Sequence, residues 1–186
     1  ETTANLISKG NVVGWYQGKM EWGPRALGNR SILADPRDPK MKDILNEKIK
    51  HRESFRPFAP SVLEEFSSDY FEIDIPSPYM LMVAKVKQPE KIPAVTHIDG
   101  TARPQIVNKK QNPSLYLILA EYKKLSGFGV LVNTSFNLHE EPIVCSPEDM
   151  INSYNANAVD IVSIGNISMG GTGKTPLSLL IAKEFL

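Results

Sequence analysis

Residues 17–31 (QGKMEWGPRALGNRS) combine glycines, a proline and cations in a stretch that cannot be regular structure throughout. Glycine allows a ligand to approach the backbone closely, and a guanidinium group is a planar fork that matches phosphate or carboxylate. Arg25 and Arg30 supply two such forks. The stretch predicts an anion-binding loop, and the alternative is a loop whose arginines make only surface ion pairs.

A second cationic stretch covers residues 48–60 (KIKHRESFRPFAP), which we expect to be a loop. It places Lys50, Arg52 and Arg56 within seven residues, and two prolines stiffen the chain that follows them. Several fixed cations close together suit a ligand with more than one negative charge. From composition alone, these two stretches indicate an anion-binding domain and nothing more specific.

A third stretch, residues 133–137 (NTSFN), directly follows an apolar run that is typical of a buried strand. The carboxyl ends of strands are where α/β sheets usually place ligands. Asn133, Ser135 and Asn137 offer neutral hydrogen bonds there rather than charge. We therefore expect these side chains to complete the site that the cations begin.

A fourth stretch, residues 165–176 (GNISMGGTGKTP), resembles a phosphate-binding loop between a strand and a helix. Its key residues are Gly171, Gly173, Lys174 and Thr175. The G-x-x-x-x-G-K-[ST] pattern is not met strictly, because Ser168 stands where the first glycine belongs. Only twelve residues follow Lys174, too few for a metal-binding carboxylate and a nucleotide pocket. We expect this loop to be non-functional.

The remaining reactive residues do not predict a metal site. His51, His97 and His139 lack the spacing of metal ligands, and Cys145 has no second cysteine beside it. His97 and Asp99 are close enough in sequence to form a hydrogen-bonded pair at a turn.

The aromatic residues near the start of the chain have two possible roles. We expect Trp15, Tyr16 and Trp22 to pack in the core, and the alternative for Trp22, next to Gly23, is the border of a pocket.

Strands and helices alternate along the chain, so the loops above are held by an α/β fold with a mixed sheet. Periodicity and turn residues predict strands at 11–16, 31–34, 79–86, 94–98, 105–107, 129–133 and 159–164, and helices at 39–49 and 113–126. Gly127 stands where a C-terminal helix cap belongs, and Ser146 precedes Pro147 as the N-cap of a further helix.

Composition limits the class of protein. The 186 residues suffice for one domain with a sizeable core, and 21 basic residues balance 21 acidic ones. That balance predicts neither a nucleic-acid nor a membrane partner, and no apolar run approaches the length of a membrane span. One cysteine suits a reducing, cytoplasmic compartment. The chain begins with Glu1 rather than methionine, which we interpret as a piece of a longer protein.

Five segments of the sequence together resemble the C-terminal domain of the NodU/CmcH-type O-carbamoyltransferases. They are GWYQGKMEWGPRALGNRSILADPRDPKMKDILNEKIKHRESFRPFAPSVL, SPYML, IPAVTHIDGTARPQ, LVNTSFNLHEEPIVCSPEDM and VDIVSIGN, in the family's order. The resemblance covers about residues 12–166, and it implies a YrdC-like fold: a mixed, twisted sheet with flanking helices.

The resemblance also implies an activity. In that family a Kae1-like N-terminal domain precedes the YrdC-like domain. The YrdC-like domain makes carbamoyl-adenylate from carbamoyl phosphate and ATP, with Mg²⁺ expected on the nucleotide. The Kae1-like domain then transfers the carbamoyl group to a hydroxyl of a small molecule. This chain would be the YrdC-like part of such an enzyme.

Residue roles follow from the same resemblance. Carbamoyl phosphate binding is implied for Arg25, Lys50 and Arg56, with Lys50 and Arg56 also catalytic. Nucleotide binding is implied for Arg103, Asn133, Ser135 and Asn137. The order Lys50, Arg56, Ser135-x-Asn137 also resembles the signature of the YrdC fold.

The chain departs from that family after Asn166, where residues 167–186 resemble the start of tetraacyldisaccharide 4′-kinase, the lipid A kinase. We therefore predict a carbamoyltransferase C-terminal domain over residues 1–166 and an appended tail over 167–186. Two rival interpretations stay open. One is a fragment that binds ATP or phosphate without activity of its own, and the other is the N-terminal part of a fusion to the kinase.

Overall fold

The structure is a computed structural model, and it describes residues 1–51, 53 and 55–165. The appended tail therefore lies outside the described residues. In chain order the main elements are α1 (Thr2–Ser8), β1 (Val13–Gln17), β2 (Arg30–Ala34), α2 (Met41–Leu45), β3 (Ala59–Leu63), α3 (Ser67–Tyr70), β4 (Phe71–Glu72), β5 (Ala84–Val86), β6 (Thr101–Ala102), β7 (Gln105–Val107), α4 (Pro113–Ser126), β8 (Val130–Ser135), α5 (Pro147–Asn155) and β9 (Ile161–Gly165).

Six strands form a mixed sheet in the order β7-β3-β8-β2-β1-β9. The outer pairs β3–β7 and β1–β9 are parallel, and the inner pairs β3–β8, β2–β8 and β1–β2 are antiparallel. A second, antiparallel sheet has the order β4-β5-β6. The predicted α/β fold with a mixed sheet is thus confirmed.

Helices cover both faces of the six-stranded sheet. Successive strand residues point to opposite faces, so Ile32 and Val132 join one buried cluster while Leu33 and Leu131 join the other. Each face has its own set of buried helical residues. Leu33 and Leu131 pack with α1 and α4 residues Ala4, Ile7, Leu115, Ile118, Leu119 and Tyr122. Ile32 and Val132 pack with Met41, Leu45 and Met150 of α2 and α5.

The helix caps agree with the sequence signals. Gly127 ends α4 in the left-handed conformation, with a φ of 82°. Ser146 Oγ accepts a hydrogen bond from the Asp149 backbone N–H, and the Asp149 carboxylate accepts one from the Ser146 backbone N–H. This capping box starts α5. Five predicted strands, at 11–16, 31–34, 105–107, 129–133 and 159–164, are confirmed with ends shifted by up to two residues.

Two predicted strands are wrong over most of their length. Of residues 79–86, only Ala84–Val86 is a strand, because its partners β4 and β6 are two residues long. Met80 also has a φ of 54°, which no strand residue adopts. Of residues 94–98, Ala94 and Val95 lie in the single 3₁₀ turn Pro93–Val95, where proline presets a turn-like φ.

The predicted helix over residues 39–49 changes character part-way. It is α-helical over Met41–Leu45 and widens to a π-helix over Asn46–Lys50. The wide turn ends at His51, whose backbone N–H donates to the Asn46 carbonyl at 2.7 Å and whose φ is 42°. Single π turns often occur at functional sites.

The predicted loop at 48–60 is partly wrong, because β3 begins at Ala59. Pro60 obscured this strand in the sequence, since proline cannot donate a ladder hydrogen bond. Pairing of β3 with β7 begins only at Ser61, one residue after the proline. Among the described residues, no helix is long and apolar enough to cross a membrane.

Candidate functional site

Lys50, at the end of the π turn, is held by the last residue of β8 and the chain that follows it. It is a buried lysine, 7% exposed, and its Nζ lies 2.8 Å from the Ser135 carbonyl and 2.6 Å from Asn137 Oδ1. Ser135 Oγ in turn donates to Asn137 Oδ1 at 2.6 Å. The three residues form one hydrogen-bonded cluster, which links the second and third stretches singled out in the sequence.

Ser135 also borders a cavity of about 200 Å³ at the same end of the sheet. Five segments meet there: the loop before β2, the segment that enters β3, the loop before β5, the turn between β6 and β7, and the end of β8. The lining is Pro24, Arg25, Ala26, Pro57, Phe58, Ala59, Met80, Arg103, Asn133, Thr134 and Ser135. We call this space the arginine cavity.

The two arginines of this cavity, Arg25 and Arg103, have no counter-charge in the described part of the chain. Neither makes a hydrogen bond or an ion pair with any residue that the structure describes, and Arg103 Nε is buried without a partner there. Burial lowers the pKa of Arg103, and the nearby positive charge of Arg25 lowers it further. Two like charges held together without a carboxylate are suited to binding an anion.

The loop that carries Arg25 is fastened by Glu21. Its Oε1 accepts hydrogen bonds from the backbone N–H groups of Leu27 and Asn29, both at 2.7 Å. Between them lies Gly28, with a φ of 110°, where a Cβ would stand 2.6 Å from Asn112 Nδ2. The tight turn therefore requires glycine, and the sequence analysis missed the part played by Glu21. Its only signal was an acid placed just before the Gly-Pro-Arg run.

Arg56 lies apart from this cluster. Its side chain is 56% exposed and pairs with Glu53 at 3.0 Å. It borders a second cavity of about 210 Å³, with His97 and Arg103. The two cavities share Arg103 and the segment 57–59. The structure thus places Arg25 and Arg56 around adjacent spaces, and Lys50 contacts Ser135, which lines the arginine cavity.

Arg30 is not available as an anion-binding fork, which corrects the sequence-based expectation. It is 3% exposed, and its guanidinium donates to the carbonyls of Gln17 at 2.7 Å and Asn29 at 2.9 Å. Its charged end also lies 3.6 Å from the centre of the Tyr16 ring. These contacts make Arg30 a structural tie between β1 and β2.

The predicted core placement holds for Trp15 and is wrong for Trp22. Trp15 is 6% exposed, and its indole N–H donates to the Gly28 carbonyl at 2.8 Å. Trp22, on the loop between β1 and β2, is fully exposed. Tyr16 is half-buried beside Arg30.

His97 and Asp99 do not bond to each other but share Thr101. Thr101 Oγ1 lies 3.0 Å from His97 Nδ1 and 2.7 Å from Asp99 Oδ1. Burial lowers the pKa of His97; the Asp99 carboxylate opposes this effect, and the positive charge of Arg103 adds to it. Within residues 1–51, 53 and 55–165, no three His, Cys, Asp or Glu side chains are grouped as a metal site requires.

The sequence of this chain matches a known family over most of its length. The profile of the family described as "Carbamoyltransferase C-terminus" covers residues 4–170. The chain belongs to this carbamoyltransferase family. The resemblance inferred from the motifs is thereby confirmed for the carbamoyltransferase part. The kinase-like stretch with Gly171, Gly173, Lys174 and Thr175 lies outside the described residues and stays a prediction.

Named relatives of this carbamoyltransferase domain include nodulation proteins. It is 45% identical to the nodulation protein NolO of Bradyrhizobium diazoefficiens, covering 88% of this chain and 31% of NolO. It is 48% identical to the nodulation protein U of Sinorhizobium fredii, covering 75% of this chain and 25% of that protein. The carbamoyltransferase domain thus spans about a quarter to a third of the length of these relatives.

Solved structures show the fold of this carbamoyltransferase domain. Full-length HypF in a phosphate- and nucleotide-bound form aligns with a TM-score of 0.66 at 20% identity, covering 89% of this chain and 24% of HypF. Sua5 of P. abyssi, complexed with L-threonine, aligns with a TM-score of 0.62 at 15% identity, covering 89% of this chain and 46% of Sua5. The predicted YrdC-like fold is confirmed.

Proposed function

We propose that this domain makes carbamoyl-adenylate from carbamoyl phosphate and ATP. Carbamoyl phosphate first loses its phosphate to water, which leaves carbamate and inorganic phosphate. A carbamate oxygen then attacks the α-phosphorus of ATP, the bond from that phosphorus to the β,γ-phosphates breaks, and pyrophosphate leaves. Every atom of the two substrates and of the water is accounted for in carbamoyl-adenylate, pyrophosphate and phosphate.

The observation that supports this proposal most is the pair of uncompensated arginines. Arg25 and Arg103 face one cavity without a carboxylate among the described residues, and the pKa of Arg103 is lowered by burial and by Arg25. Their mutual repulsion is relieved when an anion binds between them. Bringing carbamate close to a nucleotide requires such fixed positive charge, because the two reactants repel each other.

Lys50 has the geometry of a preorganised cation beside this cavity. Four oxygens of Ser135 and Asn137 already surround its ammonium, so Lys50 provides a fixed positive charge here, and a phosphate oxygen must replace one of these bonds to contact it directly. Ser135 belongs to both the lysine cluster and the wall of the arginine cavity. We propose that Lys50 stabilises the charge that develops on the α-phosphoryl group, and that Arg56 supports the phosphates from the adjacent cavity.

Mg²⁺ enters this proposal with the nucleotide. The described residues offer no group of three or more His, Cys, Asp or Glu side chains for a metal ion. They do not fit a dedicated metal site, so we propose that Mg²⁺ would arrive bound to ATP.

A second domain completes the proposed enzyme. The chain covers 31% of the length of NolO and 25% of nodulation protein U, so these relatives carry long additional sequence. We propose that a Kae1-like N-terminal domain receives the carbamoyl-adenylate. That domain transfers the carbamoyl group to a hydroxyl of a small molecule and releases AMP.

Pyrophosphate release measures the first half of this reaction directly. We expect release that requires both ATP and carbamoyl phosphate, and we expect Arg25→Ala to abolish it. Lys124→Ala is the matched control, because Lys124 pairs with Glu121 on the exposed surface of α4. Binding of both ligands by calorimetry without any pyrophosphate release would instead identify this chain as a binding fragment.

A further inference from the structure

We propose that His97 is the general base of the hydrolytic step: it takes a proton from the water that attacks carbamoyl phosphate between Arg56 and Arg103. This inference rests on the proposed function, in which carbamoyl phosphate loses its phosphate to water before the nucleotide reacts. It places that hydrolysis in the second cavity, of about 210 Å³, which we call the histidine cavity. The arginine cavity is then left for the reaction with ATP.

The histidine cavity offers one proton acceptor among the described side chains that line it. Its lining is Arg56, Pro57, Phe58, Ala59, His97 and Arg103. Proline, phenylalanine and alanine side chains carry no polar atom, and guanidinium groups donate but do not accept. Attack of water on a phosphoryl group needs a proton acceptor, and it needs positive charge beside the phosphoryl oxygens. His97 and the two arginines supply both.

A chain of hydrogen bonds from Asp99 determines which nitrogen of His97 carries the proton. Thr101 donates to Asp99 Oδ1 twice, from its hydroxyl at 2.7 Å and from its backbone N–H at 3.0 Å. These bonds lower the pKa of Asp99, so its carboxylate is ionised and can only accept. The single hydroxyl proton of Thr101 is thereby used. The contact of 3.0 Å between Thr101 Oγ1 and His97 Nδ1 therefore requires a proton on that nitrogen.

This tautomer leaves Nε2 of His97 as the base. In a neutral imidazole one nitrogen donates and the other accepts, so a proton on Nδ1 puts the lone pair on Nε2. In the described part of the chain Nε2 has no hydrogen-bond partner and, unlike Arg103 Nε, is not sealed from solvent. Thr101, on the Nδ1 side of the ring, does not line the histidine cavity. The ring thus meets the cavity with the side that carries the lone pair.

The surroundings of His97 keep it neutral until a substrate arrives. Burial lowers its pKa, the Asp99 carboxylate opposes this effect, and the positive charges of Arg103 and Lys42 lower the pKa further. Arg56 is a third cation on the cavity wall. A bound phosphate dianion offsets these charges, so His97 becomes a stronger base once carbamoyl phosphate is in place. A base with a pKa near the working pH can take a proton and release it again.

The proposed step moves one proton and exchanges one bond at phosphorus. His97 Nε2 removes a proton from the attacking water, whose oxygen forms a bond to phosphorus. The bond from phosphorus to the bridging oxygen breaks, and its electron pair stays on that oxygen, which becomes part of carbamate. The products are carbamate, HPO₄²⁻ and the imidazolium, whose proton then passes to the departing phosphate. Because Arg103 lines both cavities, the carbamate forms next to the arginine cavity.

The test separates hydrolysis from adenylation by supplying carbamate directly. Ammonium carbamate with ATP bypasses the step assigned to His97, whereas carbamoyl phosphate with ATP requires it. The variant is His97→Asn, because the asparagine Nδ2 can replace Nδ1 as the donor to Thr101 while the base is lost. We expect phosphate release from carbamoyl phosphate, above the spontaneous rate, to fall at least about a hundredfold. Pyrophosphate release from ammonium carbamate should stay within about threefold of the wild-type rate.

The outcomes distinguish this inference from the proposed function. His139→Asn, at an exposed position, is the matched control and should keep both rates. Unchanged phosphate release in His97→Asn, or an equal fall in both reactions, overturns the inference alone. The same holds if the wild-type chain uses ammonium carbamate but does not accelerate phosphate release from carbamoyl phosphate. A wild-type chain that releases pyrophosphate from neither source overturns the proposed function and this inference with it.

A measurement on the wild-type chain decides the matter if His97→Asn does not fold. The ¹⁵N chemical shifts of the His97 ring give its tautomer and its pKa, with and without inorganic phosphate. Without phosphate the proton should be on Nδ1. Phosphate bound between Arg56 and Arg103 should raise the pKa, because the anion stabilises the imidazolium. A proton on Nε2 instead, or a pKa that phosphate leaves unchanged, overturns the inference.

Discussion

Lys50 Nζ lies 2.6 Å from Asn137 Oδ1, although 87 residues separate the two in sequence. Two features make this contact possible. The π turn over Asn46–Lys50 carries the lysine to the end of β8, where Ser135, the last residue of the strand, and Asn137, just beyond it, are its partners. A helix that stayed α-helical would place residue 50 in a different direction around its axis.

Removing Arg103 should weaken anion binding without weakening the fold. A hydrogen bond to a charged partner is worth about 1.5–3 kcal/mol, so we expect Arg103→Ala to reduce carbamoyl phosphate affinity roughly tenfold to a hundredfold in calorimetric titration. The melting temperature without ligand should stay equal or rise, because the repulsion with Arg25 is relieved.

Arg56→Ala provides the contrast to that substitution. Arg56 is more than half exposed and already pairs with Glu53, so its loss should cost less affinity than the loss of Arg103. A larger loss of affinity in Arg56→Ala than in Arg103→Ala would contradict the central place given to the arginine cavity.

Glu21 should position the loop that carries Arg25. Replacement of Glu21 by alanine removes the acceptor for two backbone N–H groups, those of Leu27 and Asn29. We expect faster hydrogen exchange at these two amides and severalfold weaker carbamoyl phosphate binding in Glu21→Ala. Glu90→Ala, at an exposed position, is the control for loss of one negative charge. Unchanged exchange at Leu27 and Asn29 would argue against this role.

His97 should make the stability of the fold depend on pH. Burial, with the positive charges of Arg103 and Lys42, lowers its pKa in the folded state below the ordinary value of 6.5. The unfolded chain therefore binds a proton more readily, and the free energy of unfolding should fall as the pH drops below about 6.5. Urea denaturation between pH 7.5 and 5 should show a smaller fall for His97→Gln than for the wild type. An identical fall in both proteins would mean that His97 contributes nothing to it.

Gly28→Ala should be more destabilising than Gly127→Ala. Both glycines have positive φ, 110° and 82°, so alanine is strained at either position. Only at Gly28 would the added Cβ also collide, at 2.6 Å from Asn112 Nδ2 and 2.7 Å from Leu115 Cδ2. We expect a loss of about 1 kcal/mol at Gly127 and roughly 2–4 kcal/mol at Gly28 by urea denaturation. Equal losses would show that the loop before β2 relaxes around the extra methyl group.

Local patterns in the sequence determined the elements that need no distant partner. The helix Pro113–Ser126, its cap at Gly127 and the capping box of Ser146 and Asp149 depend on residues within one turn of each other. The anion-binding character of the loop with Arg25 and the hydrogen-bonding character of the polar residues at the end of β8 could also be predicted, because both depend on residue type. The long motifs that contain residues 17–31, 48–60 and 133–137 identified the carbamoyltransferase family.

Tertiary structure alone decided which of these groups are free to bind a ligand. Arg25 and Arg30 lie in the same loop-like stretch of the sequence. The guanidinium of Arg30 donates to backbone carbonyls, whereas Arg25 has no partner in the described part of the chain. The orientation of the Asn133 amide likewise depends on Gln105 and on the Leu27 carbonyl, both distant in sequence. Whether a polar group is satisfied depends on every atom that surrounds it, and long-range strand pairing brings those atoms together.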